Sequence, residues 1–97
     1  MFTKTYLETR PDSTIPFWHE TPEVQAWLPA FEQKLLEDKL ILSLKQTISD
    51  DGMTYVREAQ FEDESAYAAV LQQAPVSNYQ SLRKQYNLNN SITFYSV

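Results

Sequence analysis

The chain has no cysteine, and only one glycine and one histidine, among its 97 residues. Without cysteine there is no disulfide, no zinc–thiolate site and no cysteine nucleophile. One glycine excludes the Gly-rich loops that cradle phosphates and dinucleotides. No nucleophile elbow or paired-carboxylate signature is present either, so no cofactor is expected. Long apolar runs are missing as well. The longest, "LILSL", falls far short of a membrane span, and "MFTKTYLETRP" holds no apolar run of signal-peptide length. A soluble, cytoplasmic protein with no membrane contact is the expectation. Basic residues are few, eight Lys and Arg against thirteen Asp and Glu, for a net charge of −5. Only Arg83 and Lys84 are adjacent, so a phosphate backbone would mostly meet repulsion, and nucleic acid is not expected as a partner.

What is present is enough for one folded domain over 1–97. Hydrophobic residues make up 42% and aromatic residues 13%, and large rings supply core area that so short a chain needs.

The lone glycine, Gly52, ends "ISDDG" between two strand-like stretches. Asp-Gly tolerates the positive φ of a tight turn, so a hairpin is expected. In "LILSLKQTI", Leu40, Leu42, Leu44 and Ile48 share one face, broken by Gln46. In "MTYVREAQF", Met53, Tyr55, Ala59 and Phe61 share one face, broken by Arg57. Closing the turn at Asp51-Gly52 sets Leu44 opposite Ala59, Leu42 opposite Phe61, and Lys45 opposite Glu58. The last is a pair of matched signs, as a cross-strand register favours.

"FTKTYLET" and "SITFYSV" are rich in β-formers and bracket the chain as strands. In the first, Phe2 and Tyr6 share a face with Lys4 and Glu8, so its inward side stays open. Thr21 is the expected N-cap of a helix with Pro22 at its first position. Val24, Trp27, Leu28, Phe31 and Leu35 form the helical stripe. Pro29 falls inside it, which predicts a kink or a short first turn before the main helix. "EDESAYAAVLQQA" predicts a helix with Tyr67, Val70, Leu71 and Ala74 on one face, stopped by Pro75. "SNYQSLRKQY" predicts another, with Ser77 as cap, ended where Asn89 or Asn90 turns left-handed. Strands are thus expected near 2–9, 40–48, 53–61 and 91–97, and helices near 22–38, 63–74 and 77–87. The core should hold Trp27, Phe31, Leu35, Leu42, Leu44, Phe61, Tyr67, Val70 and Phe94.

The order β-α-β-β-α-β is that of an α+β, ferredoxin-like sandwich: a four-stranded antiparallel sheet with helices on one face. The other face should carry Ile41, Ser43, Lys45, Thr47, Thr54, Val56, Glu58 and Gln60, with Leu7, Tyr95 and Val97 among threonines. So mixed a face suits an isologous homodimer, although a threonine-rich monomer face or a different protein partner would also fit. In element order and length the chain resembles the dimeric α+β barrel group, which includes small monooxygenases related to antibiotic biosynthesis. The resemblance spans the whole chain and rests on element order. It implies two sheets packed face to face and a pocket between sheet and helices in each protomer.

"STIPFWHE", Ser13 to Glu20, sets two rings beside the only histidine. His19 is the candidate acid or base, with Phe17 and Trp18 as pocket walls. The alternative is that Phe17 and Trp18 staple the loop over the helix start and His19 faces water. "HETPE" lacks the second histidine of a zinc helix, and no metal site is expected. "SDDG" is explained by a turn, and "EDE" by a helix start. Arg57 and Gln46 interrupt apolar faces near Tyr55. They either anchor an anion inside an apolar pocket, or Arg57 lies near the sheet edge and reaches outward. The candidate ligand-binding set is therefore Trp18, His19, Tyr55 and Arg57. The expected function is a small dimeric domain holding a small apolar ligand between sheet and helices. One alternative is a cofactor-independent monooxygenase or isomerase in which His19 works while Tyr6, Tyr55 or Arg57 orients the substrate. The other is a protein-interaction subunit.

Overall fold

The single glycine turns the chain where its chemistry predicts. In the structure, a computed structural model describing residues 1–74 and 79–97, Gly52 has φ 74°. Asp51 Oδ1 closes the turn by accepting from Ser49 Oγ (2.6 Å) and the Met53 N–H (2.9 Å). The arms are β2 (Ser43–Ile48) and β3 (Thr54–Phe61), and Leu44 faces Ala59 and Lys45 faces Glu58 as expected. β1 (Phe2–Thr9) pairs antiparallel with β3 and with β4 (Thr93–Ser96). The strand order is β2-β3-β1-β4. This α+β arrangement with a four-stranded antiparallel sheet is consistent with the ferredoxin-like order.

Four helices complete the described residues: α1 (Pro22–Gln25), α2 (Leu28–Glu37), α3 (Glu64–Gln72) and α4 (Tyr79–Asn89). Pro29 divides α1 from α2 because it falls in the first turn of α2, where its missing N–H breaks no helical bond. Asp63 caps α3, accepting from the Ala66 N–H at 2.8 Å. The expected stop at Pro75 and cap at Ser77 lie outside the described residues.

Three local expectations are corrected. Thr21 stands at the N-cap of α1, but its hydroxyl donates back to the Trp18 carbonyl (2.7 Å) and does not cap the helix. The left-handed residue after α4 is Ser91 (φ 57°), not Asn89 or Asn90. After α2, Lys39 also turns left-handed (φ 59°), and this shifts the chain's phase. Ile41 therefore points into the core at 2% exposure, whereas Leu42 lies outside at 44%. Ile41 leaves the bare face, Leu42 leaves the core, and β2 starts at Ser43, not near 40.

The register settles the open side of β1. Tyr6 and Glu8 are buried and pair across to Arg57 and Tyr55, so Phe2, Lys4, Tyr6 and Glu8 face the helices. Packing under the helices has two parts. Leu35, Ile41, Ala59, Phe61 and Val70 form one cluster, flanked by half-buried Phe31, Leu44 and Tyr67. Trp18, Trp27 and Tyr79 form another, with ring centroids 5.8–6.2 Å apart. Across the sheet, one cross-strand row is polar, with its two ends exposed: Gln46, Arg57, Tyr6 and Ser96.

Candidate functional site

The loop before α1 is held by Arg10. Its Nε donates to the Gly52 carbonyl (2.8 Å) and its Nη1 to the Ile15 carbonyl (2.7 Å), tying the loop to the hairpin turn. The guanidinium lies 4.3 Å from the Phe17 ring centre. Phe17 is fully buried, and its N–H donates to Glu20 Oε1 (2.9 Å), which braces the short 3₁₀ turn Trp18–Glu20. Phe17 and Trp18 thus do staple the loop down. His19 nevertheless does not turn to water. It is half-buried, its ring packed against both Tyr55 (4.2 Å) and Phe17 (5.9 Å), which also touch each other (5.6 Å).

The loop roofs a cavity of about 50 Å³ between the sheet and the helices. Trp18, His19, Tyr55 and Arg57 all border it, together with Glu8 and Glu32. Space of this kind suits several waters or the end of a small molecule, since one water needs roughly 10–15 Å³ measured this way. Its lining draws on both apolar clusters, Trp18 and Tyr79 from one and Leu35, Ile41, Phe61 and Val70 from the other.

Charge inside the site is arranged in two groups. Arg57 donates to Glu32 Oε2 through Nη2 (2.5 Å) and Nε (3.2 Å). β3 is a central strand, so Arg57 does not reach outward from an edge as one reading of the sequence had it. Its partner is a carboxylate of the chain itself, from α2. The Tyr55 hydroxyl donates to Gln46 Oε1 (2.7 Å), a diagonal contact across the hairpin, since the register pairs Gln46 with Arg57. The second group is Glu8, Asn87, Tyr6 and Arg83. Asn87 Nδ2 donates to Glu8 Oε2 (2.5 Å) and to the Tyr6 hydroxyl (3.4 Å), and both Glu8 and Asn87 are buried.

Burial moves several of these groups. Loss of water pushes the Glu8 carboxyl up, opposed by the Asn87 hydrogen bond and the charge of Arg83. Burial also raises the Tyr55 hydroxyl above its ordinary value, against the Arg57 charge. The His19 imidazole is pulled down by desolvation, partly countered by Glu20 and Glu32. A neutral imidazole at pH 7 has one donor and one acceptor nitrogen. His19 Nδ1 is buried with no hydrogen-bond partner among the described residues.

Tyr6 is separated from the inner cavity but lines an adjoining outer basin with Arg57. Sequence reading missed Glu8, Glu32, Asn87 and Arg83. Each sits on a helix or strand whose polar residues look solvent-facing, and only the apolar company of Glu8 on its strand face carried a signal. Among the described residues no group of three His, Asp or Glu side chains is placed to hold a metal ion. No helix among them is long and apolar enough to cross a membrane.

No protein-family model matches the chain. No curated protein matches it either. Among solved structures, that of Rv0793 from Mycobacterium tuberculosis is similar, at 11% identity over 98% of this chain and 91% of that one, with a TM-score of 0.42.

Proposed function

We propose that the chain is a small ligand-binding domain of the ferredoxin-like, dimeric α+β barrel kind, which holds a small apolar molecule between sheet and helices. The observation that carries this reading is the cavity itself. Apolar walls surround a few placed polar groups, Arg57 with Glu32, Tyr55, and His19 with its unpartnered Nδ1. Binding sites have that composition, and a solid core has no use for it. Pairing of two copies through the bare sheet face is the second half of the proposal. By register Leu7, Val56 and Tyr95 lie on that face, and Tyr95 and Val97 are 64% and 65% exposed.

Native mass spectrometry of the purified protein tests both halves together. A dimer carrying a non-covalent small-molecule adduct is expected. Val70 lines the cavity, so Val70→Phe should fill it and remove the adduct while the dimer persists. A monomer would contradict the pairing and leave the face to another protein. An adduct unchanged in Val70→Phe would contradict the cavity as its site.

A second reading is favoured by one observation, the half-buried His19 at the cavity wall, whose Nδ1 has no hydrogen-bond partner among the described residues. In it the domain is a cofactor-independent oxygenase or isomerase, and His19 takes or gives the proton. His19→Gln should then keep the adduct and lose turnover of it. Turnover that survives His19→Gln would remove this reading.

A further inference from the structure

The cavity opens beside an outer basin of about 310 Å³, and the two share Arg57, Phe61, Tyr67, Leu71, Tyr79 and Arg83. The basin's charges are all of one sign. Lys4, Arg57, Arg83 and Lys84 line it, four of the chain's eight cations, and among the described residues no Asp or Glu does. In a protein of net charge −5 such a concentration of positive charge sets up a local field that attracts anions. Arg57 is already paired with Glu32, and Lys4 rests 5.7 Å from the Tyr67 ring centre.

Arg83 is different. Its guanidinium lies 3.8 Å from the Tyr6 ring centre and 5.9 Å from that of Trp18. Its Nε is buried without a hydrogen-bond partner, and it forms no ion pair among the described residues. A buried donor left unmade is costly, and no carboxylate among the described residues pairs with this guanidinium to offset it. Glu8 lies within Arg83's field, but it forms no ion pair with Arg83, its Oε2 accepts from Asn87, and it lines the inner cavity, not the basin.

We infer that the basin binds an organic carboxylate, with Arg83 as its anchor and the carboxylate's apolar body lying toward the inner cavity. This rests on the ligand-binding reading above and names the ligand class. Arg83 already rests against the Tyr6 ring, and its outer Nη groups, unlike the buried Nε, are the fork that can meet a carboxylate in two parallel hydrogen bonds. Phe61, Tyr67, Leu71 and Tyr79 form the wall beside it, suited to a flat ring. A phosphate dianion fits less well, because it finds no glycine-rich backbone cradle and cannot use the apolar wall as a flat ring would.

Isothermal titration of the full chain with benzoate, benzyl alcohol and inorganic phosphate tests this. Benzoate should bind saturably and about tenfold or more tighter than benzyl alcohol, the worth of one charge-assisted pair. Arg83→Gln should abolish that advantage, and Arg83→Lys should keep part of it. If circular dichroism shows Arg83→Gln unfolded, Lys4→Gln/Lys84→Gln at the rim should weaken benzoate about threefold. Equal affinity for benzoate and benzyl alcohol would overturn the anion claim and leave the cavity reading standing. Phosphate binding as tightly as benzoate would overturn the carboxylate class. Benzoate affinity untouched by the basin substitutions would move the anchor elsewhere, and no binding of either ring compound would overturn both readings.

Discussion

Replacing Phe17 by alanine tests whether the loop before α1 is part of the core or lies upon it. Phe17 is fully buried, packed against Tyr55 (5.6 Å between ring centres) and under Arg10. A buried phenylalanine removes about 150–250 Å² from water, and at roughly 25 cal/mol per Å² that is about 4–6 kcal/mol for the side chain. The alanine methyl retains part of this, and the nearby cavity lets neighbours relax, which leaves a loss of about 3–4 kcal/mol. Arg10 loses its ring contact too, worth about 0.5–1 kcal/mol at a partly exposed position. For a domain of this size the melting temperature should fall by about 12 °C or more. Leu42→Ala is the comparison, since Leu42 is 44% exposed and should cost about 1 kcal/mol or less. Urea denaturation followed by tryptophan fluorescence measures both. A Phe17→Ala loss below about 1 kcal/mol, or a Leu42→Ala loss exceeding it, would refute the packing described.

Further outcomes follow from the same contacts. A double-mutant cycle on Glu32→Gln and Arg57→Met should give a coupling of about 1–2 kcal/mol, because the pair is mostly but not wholly enclosed; a value near zero would place it in solvent. His19 has a folded pKa below its ordinary 6.5, so its contribution to stability is present above pH 6.5 and lost as pH falls through the lowered folded value. Between pH 7.5 and 5.5 the parent should therefore lose more stability than His19→Phe, and an equal loss would contradict the burial of the imidazole. On the proposed pairing through the bare face, Val56→Lys should give a monomer in light scattering where the parent gives a dimer, and an unaltered mass would contradict that pairing. Ile41→Lys cannot serve the same purpose, because Ile41 is a core residue and the variant should unfold.

Local chemistry explains which parts of this were legible in the sequence. Asp51-Gly52 fixed the hairpin because only one residue pair offered that turn, and the register followed from counting outward. Pro29 announced the break between α1 and α2. The phase error at Ile41 and Leu42 came from Lys39, a residue with no special preference for the left-handed turn that it adopts. In the site, Arg57 and Gln46 stood out as polar interruptions of an apolar face, and Trp18 and His19 as rings in a loop. Glu8, Glu32, Asn87 and Arg83 did not, because what buries each is a distant element. Glu32 meets Arg57 25 residues away and Asn87 meets Glu8 79 residues away, and such pairings leave no periodic trace.

The account's central claim is that the space between sheet and helices receives a small molecule. Titrating isotopically labelled protein with benzyl alcohol, followed by amide chemical shifts, tests it most directly. Saturable shifts should centre on Trp18, His19, Tyr55, Arg57 and Val70, which border that space. Shifts confined to Val56, Tyr95 and the rest of the bare face, or none that saturate, would contradict it.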